Sequence, residues 1–136
     1  MSYAISASLQ QAVYQALIAD DAVDALVEGH VYDAVPPGTL PGLYVTIGSE
    51  QARDRSHKTG HGAEHDFTVA VVTDSAGFQD AKSAAAAISD ALVDSSLSLA
   101  RGTLVGLRFL KARARLVGAG DVRRIDLTFR ARVDDV

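Results

Sequence analysis

Three of the four histidines, His57, His61 and His65, recur at four-residue intervals in RDRSHKTGHGAEHD, the stretch from Arg53 to Asp66. On a continuous helix that spacing would offer imidazoles to one zinc ion. Gly60 and Gly62 interrupt it, each costing a helix about 1 kcal/mol, and the preceding residues read as a strand. His65 reads as the opening of the next strand, so the stretch is a polar connection and no metal is expected. His30 follows Gly29 at a helix end, where a histidine commonly caps a carbonyl. Asp54, Ser56 and His57 are adjacent in sequence, whereas a hydrolytic triad is assembled by the fold from separated residues. Glu64 and Asp66 share one side of a strand, and acids at a strand end usually serve solvation. The chain holds no Gly-x-Ser-x-Gly elbow and no phosphate-cradling loop ending in Gly-Lys-Ser or Gly-Lys-Thr. With no cysteine, thiolate ligands, cysteine nucleophiles and disulfides are excluded. The expectation is a protein that is not an enzyme and takes no cofactor.

A second group of residues suits electrostatic recognition. In VRRIDLTFRARV, Ile125, Leu127, Phe129, Ala131 and Val133 alternate with Arg124, Asp126, Thr128, Arg130 and Arg132, the signature of a half-buried antiparallel strand. Its expected partner is LVGLRFLKARARL, joined through the turn residues Gly118 to Asp121. A four-residue loop sets Arg115 opposite Arg124, Arg113 opposite Asp126, Lys111 opposite Thr128 and Phe109 opposite Arg130. On the other face Ala114, Ala112 and Leu110 meet Ile125, Leu127 and Phe129. That register matches apolar to apolar, and a one-residue slip would not. It gathers Lys111, Arg113, Arg115, Arg124, Arg130 and Arg132 on one face, with Asp126 partly neutralising Arg113. Phosphates would bind such a face, although single-strand binders add stacking aromatics and only Phe109 is near.

The elements that must carry these residues are legible along the chain. Ile5, Leu9, Val13 and Leu17 have helical spacing, and a short helix follows between Asp20 or Asp21 and Gly29. YDAVPPGTLPG holds all three prolines and reads as an irregular connection. LYVTIGSE and HDFTVAVVTD read as strands, with Arg53–Glu64 as a long hairpin arm between them. That arm is rich in charge and glycine and expected to be mobile in the isolated subunit. Phe78, Ala81, Ala85, Ile88 and Leu92 mark a further helix, whose alanines would let it lie close to a sheet. The order α-α-β-β-α-β-β packs naturally as a four-stranded antiparallel sheet with helices on one face, an α+β domain spanning 1–136.

A chain of 136 residues with 48% hydrophobic residues has the material for one core. The net charge of −4 is unevenly spread: residues 1–100 carry 4 basic and 13 acidic side chains, a balance of −9, and residues 101–136 carry 9 and 4, a balance of +5. Such asymmetry points to a partner for the basic part, or to the acidic part of another copy. The opening residues lack the basic and apolar runs of a secretion signal or membrane anchor, so a cytoplasmic protein is expected.

Four stretches in this order, GHVYDAVPPG, YVTIGSEQARDRSHKTGHGAEHDFTVAV, AGFQDAKSAAAAISDAL and LVGLRFLKARARL, resemble the tail-completion or tail terminator proteins of long-tailed phages and gene transfer agents. The resemblance runs from about Leu9 to Val133. A tryptophan often closes the second strand in relatives, where this chain has Val72 and Thr73. The resemblance implies an α+β subunit of a six-fold ring, assembled in the host cytoplasm as a component of the tail. Such a ring stops growth of the tail tube, faces the head–tail connector protein, and lets DNA pass through its lumen without catalysis or a membrane. Arg53, Arg55, His57, Lys58 and His61 would then be an arm contacting the next subunit or the tail tube protein. The alternative reading is a nucleic-acid-binding module that uses the basic C-terminal hairpin.

Overall fold

Helix α1 (Ser6–Ala19) forms where Leu9, Val13 and Leu17 recur every fourth residue, and all three are buried. The structure is a computed structural model and describes residues 3–56, 61–118 and 120–135. Asp20 ends α1 and caps α2 (Asp21–Val27), its carboxylate accepting the Val23 N–H at 3.0 Å. Glu28 closes α2 in the left-handed region at φ 54°, and Gly29 continues it at φ 78°.

A two-residue strand, β1 (Val31–Tyr32), comes next and pairs in parallel with β2 (Leu43–Asp54). β2 then pairs antiparallel with β3 (Gly62–Thr73). Helix α3 (Gln79–Leu92) crosses back, burying Ala81, Ala84, Ala85, Ile88 and Leu92, and packs on β3 and β5. The hairpin of β4 (Thr103–Val117) and β5 (Val122–Asp134) completes the sheet, whose order is β1-β2-β3-β5-β4. The α+β class with helices on one face stands, but the sheet is five-stranded and mixed, not four-stranded and antiparallel. The extra strand is too short to show alternation and lies just before the prolines. Burial of Val31 and a hydrogen bond from Val45 N–H to the His30 carbonyl at 2.9 Å hold it in place.

The core lies between the helices and one sheet face, where Val45, Val69, Val71, Ile125, Leu127 and Phe129 meet Leu9, Leu17, Ile88 and Leu92. Phe67 and Phe129 stack at 5.7 Å across neighbouring strands. At roughly 1.5–3 kcal/mol for each large side chain taken from water, this layer supplies most of the driving force. Gly102 turns the chain into β4 at φ 78°; a Cβ there would lie 2.6 Å from Ile5 Cδ1 and 2.7 Å from the Asp134 carbonyl, so glycine is required. Among the described residues no helix is long and apolar enough to cross a membrane.

The hairpin register agrees with expectation near the turn, where Arg115 faces Arg124, Arg113 faces Asp126 and Lys111 faces Thr128. It then departs. A bulge at Leu110 sets Phe109, not Leu110, opposite Phe129, and Arg108, not Phe109, opposite Arg130. Strict alternation would have put Arg108 on the core face beside Ala131. The extra residue turns Arg108 outward, buries Leu107 and lets the Phe109 ring meet Phe129 edge-on at 5.9 Å.

Candidate functional site

The sheet face without helices carries nearly all the arginines, and its two halves are organised differently. At its centre, β3 presents Glu64 and Asp66 between β2 and β5. Arg130 grips Asp66 with two hydrogen bonds, at 2.8 and 3.0 Å, and Arg53 reaches the same carboxylate at 2.6 Å. Arg55 binds Glu64 at 3.2 Å. The Arg130 hydrogen bond pulls the Asp66 carboxyl down to about 2; burial opposes this, and Arg53 adds to it. Burial would raise Glu64, but the Arg55 hydrogen bond and the charges of Arg55, Arg130 and Arg53 overcome it and hold the group below its ordinary value. The two carboxylates are therefore charged, structural and fully engaged.

Arg53 and Asp54 lie in β2, and Gly62, Ala63 and Glu64 lie in β3, so the expected arm at 53–64 is shortened at both ends by strand pairing. Its root is tied further: Arg55 N–H donates to the Gly62 carbonyl at 2.8 Å, Arg132 donates to the Arg55 carbonyl at 2.8 Å, and Asp135 N–H donates to the His61 carbonyl at 2.8 Å. His57 and Lys58 lie outside the described residues. His61 is exposed just before β3.

The six hairpin cations share the open face, but most already have partners. Asp126 bonds Arg124 at 2.8 Å and Arg115 at 3.3 Å, not the expected Arg113 directly opposite it. The guanidiniums of Arg124, two residues along β5, and Arg115, diagonally across on β4, hold that carboxylate instead. Arg132 lies 3.9 Å from Asp134. Lys111 and Arg113 remain exposed with no ion pair among the described residues, and so does Arg108. Arg108 was invisible as part of this face in the sequence, because only the bulge at Leu110 turns it there.

A polar cluster inside the core was also missed. His65 is fully buried on the helix-facing side of β3, with Nδ1 3.1 Å from Glu50 Oε2. Ser6 donates to Glu50 at 2.7 Å, and the Tyr3 hydroxyl hydrogen-bonds the same carboxylate. Burial works to raise the Glu50 carboxyl, but the hydrogen bonds from Tyr3, Ser6 and His65 prevail and lower it. The alternation of Ala63, His65, Phe67 and Val69 was the signal that His65 faces inward. The cluster pins the start of α1 to β2 and β3. A shallow groove of about 560 Å³ between α1 and residues 96–100 is lined by Ser, Gln, Ala and Leu, with no histidine, carboxylate or cation. Among the described residues no group of three or more His, Cys, Asp or Glu is placed to hold a metal.

The model of the family described as Tail completion protein gp17 matches residues 11–134. The chain belongs to the tail completion protein family. This tail completion protein is also similar to a chain in the solved virion of a native gene transfer agent particle, with 61% identity, a TM-score of 0.94, and coverage of 98% of this chain and 99% of that one. Among curated proteins no match was found.

Proposed function

We propose that this tail completion protein is a structural component of a phage-like particle that closes the tail as a six-fold ring. The ring ends growth of the tail tube, meets the head–tail connector protein on its other side, and leaves a lumen for DNA. The 61% identity to a gene transfer agent virion chain over almost the full length of both carries this reading. The subunit's charge split suits it, because in a ring each copy presents one surface to a different surface of the next. The connection between β2 and β3, with Arg53 and Arg55 bracing its root and His57, Lys58 and His61 along it, is proposed as a contact to the neighbouring subunit or the tube.

Mass measurement of the purified chain, alone and with tail tube protein, tests the ring. A discrete six-copy species on tube ends is expected; a chain that stays monomeric in both conditions would overturn it. The alternative of direct nucleic-acid recognition is less well supported. Four of the six hairpin cations are internally paired, and Phe109 turns to the helix side, leaving no aromatic among the free cations.

A further inference from the structure

The two edges of the sheet are opposites in charge. The first 52 residues hold six acids and no lysine or arginine, and they build α1, α2, β1 and most of β2. Residues 103–134 hold eight cations and three acids, and they build β4 and β5 at the other end. Within each group the structure separates engaged charges from free ones. Asp20 caps α2, Asp33 bonds Gln10 and Glu50 is held by Tyr3, Ser6 and His65. Asp21, Asp24 and Glu28 remain exposed around α2, which packs over β2, with no ion pair among the described residues. On β4 the free charges are Arg108, Lys111 and Arg113.

Apolar exposure follows the same division. Leu26, Val35 and Leu40, from α2 and the segment joining β1 to β2, are 37–45% exposed. Val105, Phe109 and Leu116 on β4 are 42–58% exposed. The outer edge of β4 is also open: Asp94 N–H donates to the Leu107 carbonyl at 3.0 Å, and from Arg108 to Leu116 no backbone group among the described residues outside β5 pairs with it. A long open strand edge invites another chain. Its cations discourage a second copy of the same edge, since like charges would meet, but they accept an acidic surface.

We infer that the β4 edge of one copy, through Arg108, Lys111 and Arg113, docks on the acidic α2 surface of a second copy, formed by Asp21, Asp24 and Glu28. This interface rests on the ring reading above and deepens it. Because β4 and α2 lie toward opposite ends of the sheet, every copy offers both halves. The contact is head-to-tail, as ring closure requires. Arg130 and Arg132, although equally basic, take no part because their charge is already spent on Asp66, Glu64 and Asp134.

Two triple variants test it, with tail tube protein present: Arg108→Glu, Lys111→Glu, Arg113→Glu in one, and Asp21→Lys, Asp24→Lys, Glu28→Lys in the other. Each alone should assemble more than about tenfold more weakly than the native chain, with melting temperature little changed. Mixed in equal amounts they should assemble again, because each altered surface then meets its complement on the other variant. Normal assembly of either variant alone, or a mixture as weak as its parts, would overturn the interface while leaving the native ring standing. A native chain that never forms a ring would remove both. Carbodiimide coupling of native particles keeps the test independent of variant folding. It should join Lys111 to Asp21, Asp24 or Glu28 of another copy, and coupling of Lys111 to tube protein alone would refute the interface.

Discussion

The centre of the open sheet face and its β4 edge are built from the same residue types and do different work. At the centre, Arg53 and Arg130 converge on Asp66 and are fixed by it. On β4, Arg108, Lys111 and Arg113 project from an edge strand and make no ion pair among the described residues. Arginine content alone does not distinguish the two regions; the strand register that delivers Asp66 and Glu64 between β2 and β5 does. A cation whose charge is already used holds the subunit together. A cation left over is available to another molecule.

The largest expected effect breaks the paired region. Arg130→Glu would set three carboxylates side by side, with Glu64 and Asp66 already there, and should lower the stability of the subunit, by less than breaking a fully buried pair because the site is partly solvated. Thermal or urea unfolding checks it. A variant that keeps native stability but fails to assemble would place Arg130 with the β4 residues and erase the contrast.

Asp66→Asn should cost less, about 1–2 kcal/mol, and should change the pH dependence. In the native state this carboxyl titrates at about 2 against an ordinary 3.8, so folding favours its charged form. Its contribution is complete above 3.8 and is lost as pH falls through about 2. Acid unfolding followed by circular dichroism should therefore lose part of its slope between those values in the Asn variant. An unchanged acid limb would mean that Asp66 is not the anchor of the lattice.

Added salt should weaken association of the native chain, because β4 is exposed to counterions, while moving the unfolding midpoint little. Sedimentation and melting measured over the same salt series separate the two. Arg113→Ala is the mildest test: its stability should lie within about 0.5 kcal/mol of native, as for a solvated residue away from any buried feature. A larger loss would show that Arg113 has a partner within its own chain.

Much of this arrangement was legible in the residues. Strict alternation in β5 gave away its buried and polar sides, and the glycine turn fixed the hairpin register from Lys111 to Arg115. The spacing of Phe78, Ala81, Ala85, Ile88 and Leu92 marked α3. What escaped depended on contacts remote in sequence. β1 has two residues, too few for any period, and exists only because β2 offers it an edge. The bulge at Leu110 reconciles Phe109 with Phe129, a preference that appears only once both strands are packed. Which cations are free was hidden for the same reason, since Asp66 and Arg130 are 64 positions apart. The arm looked longer than it is because charged residues such as Arg53 and Glu64 pair as well in a solvated ladder as in a loop.

The central claim is that this protein ends the tail. Electron microscopy of particles produced without it, and again with it restored, tests that most directly. Tails of uncontrolled length, detached from heads and corrected by the restored chain, are predicted; tails of normal length joined to filled heads in its absence would contradict it.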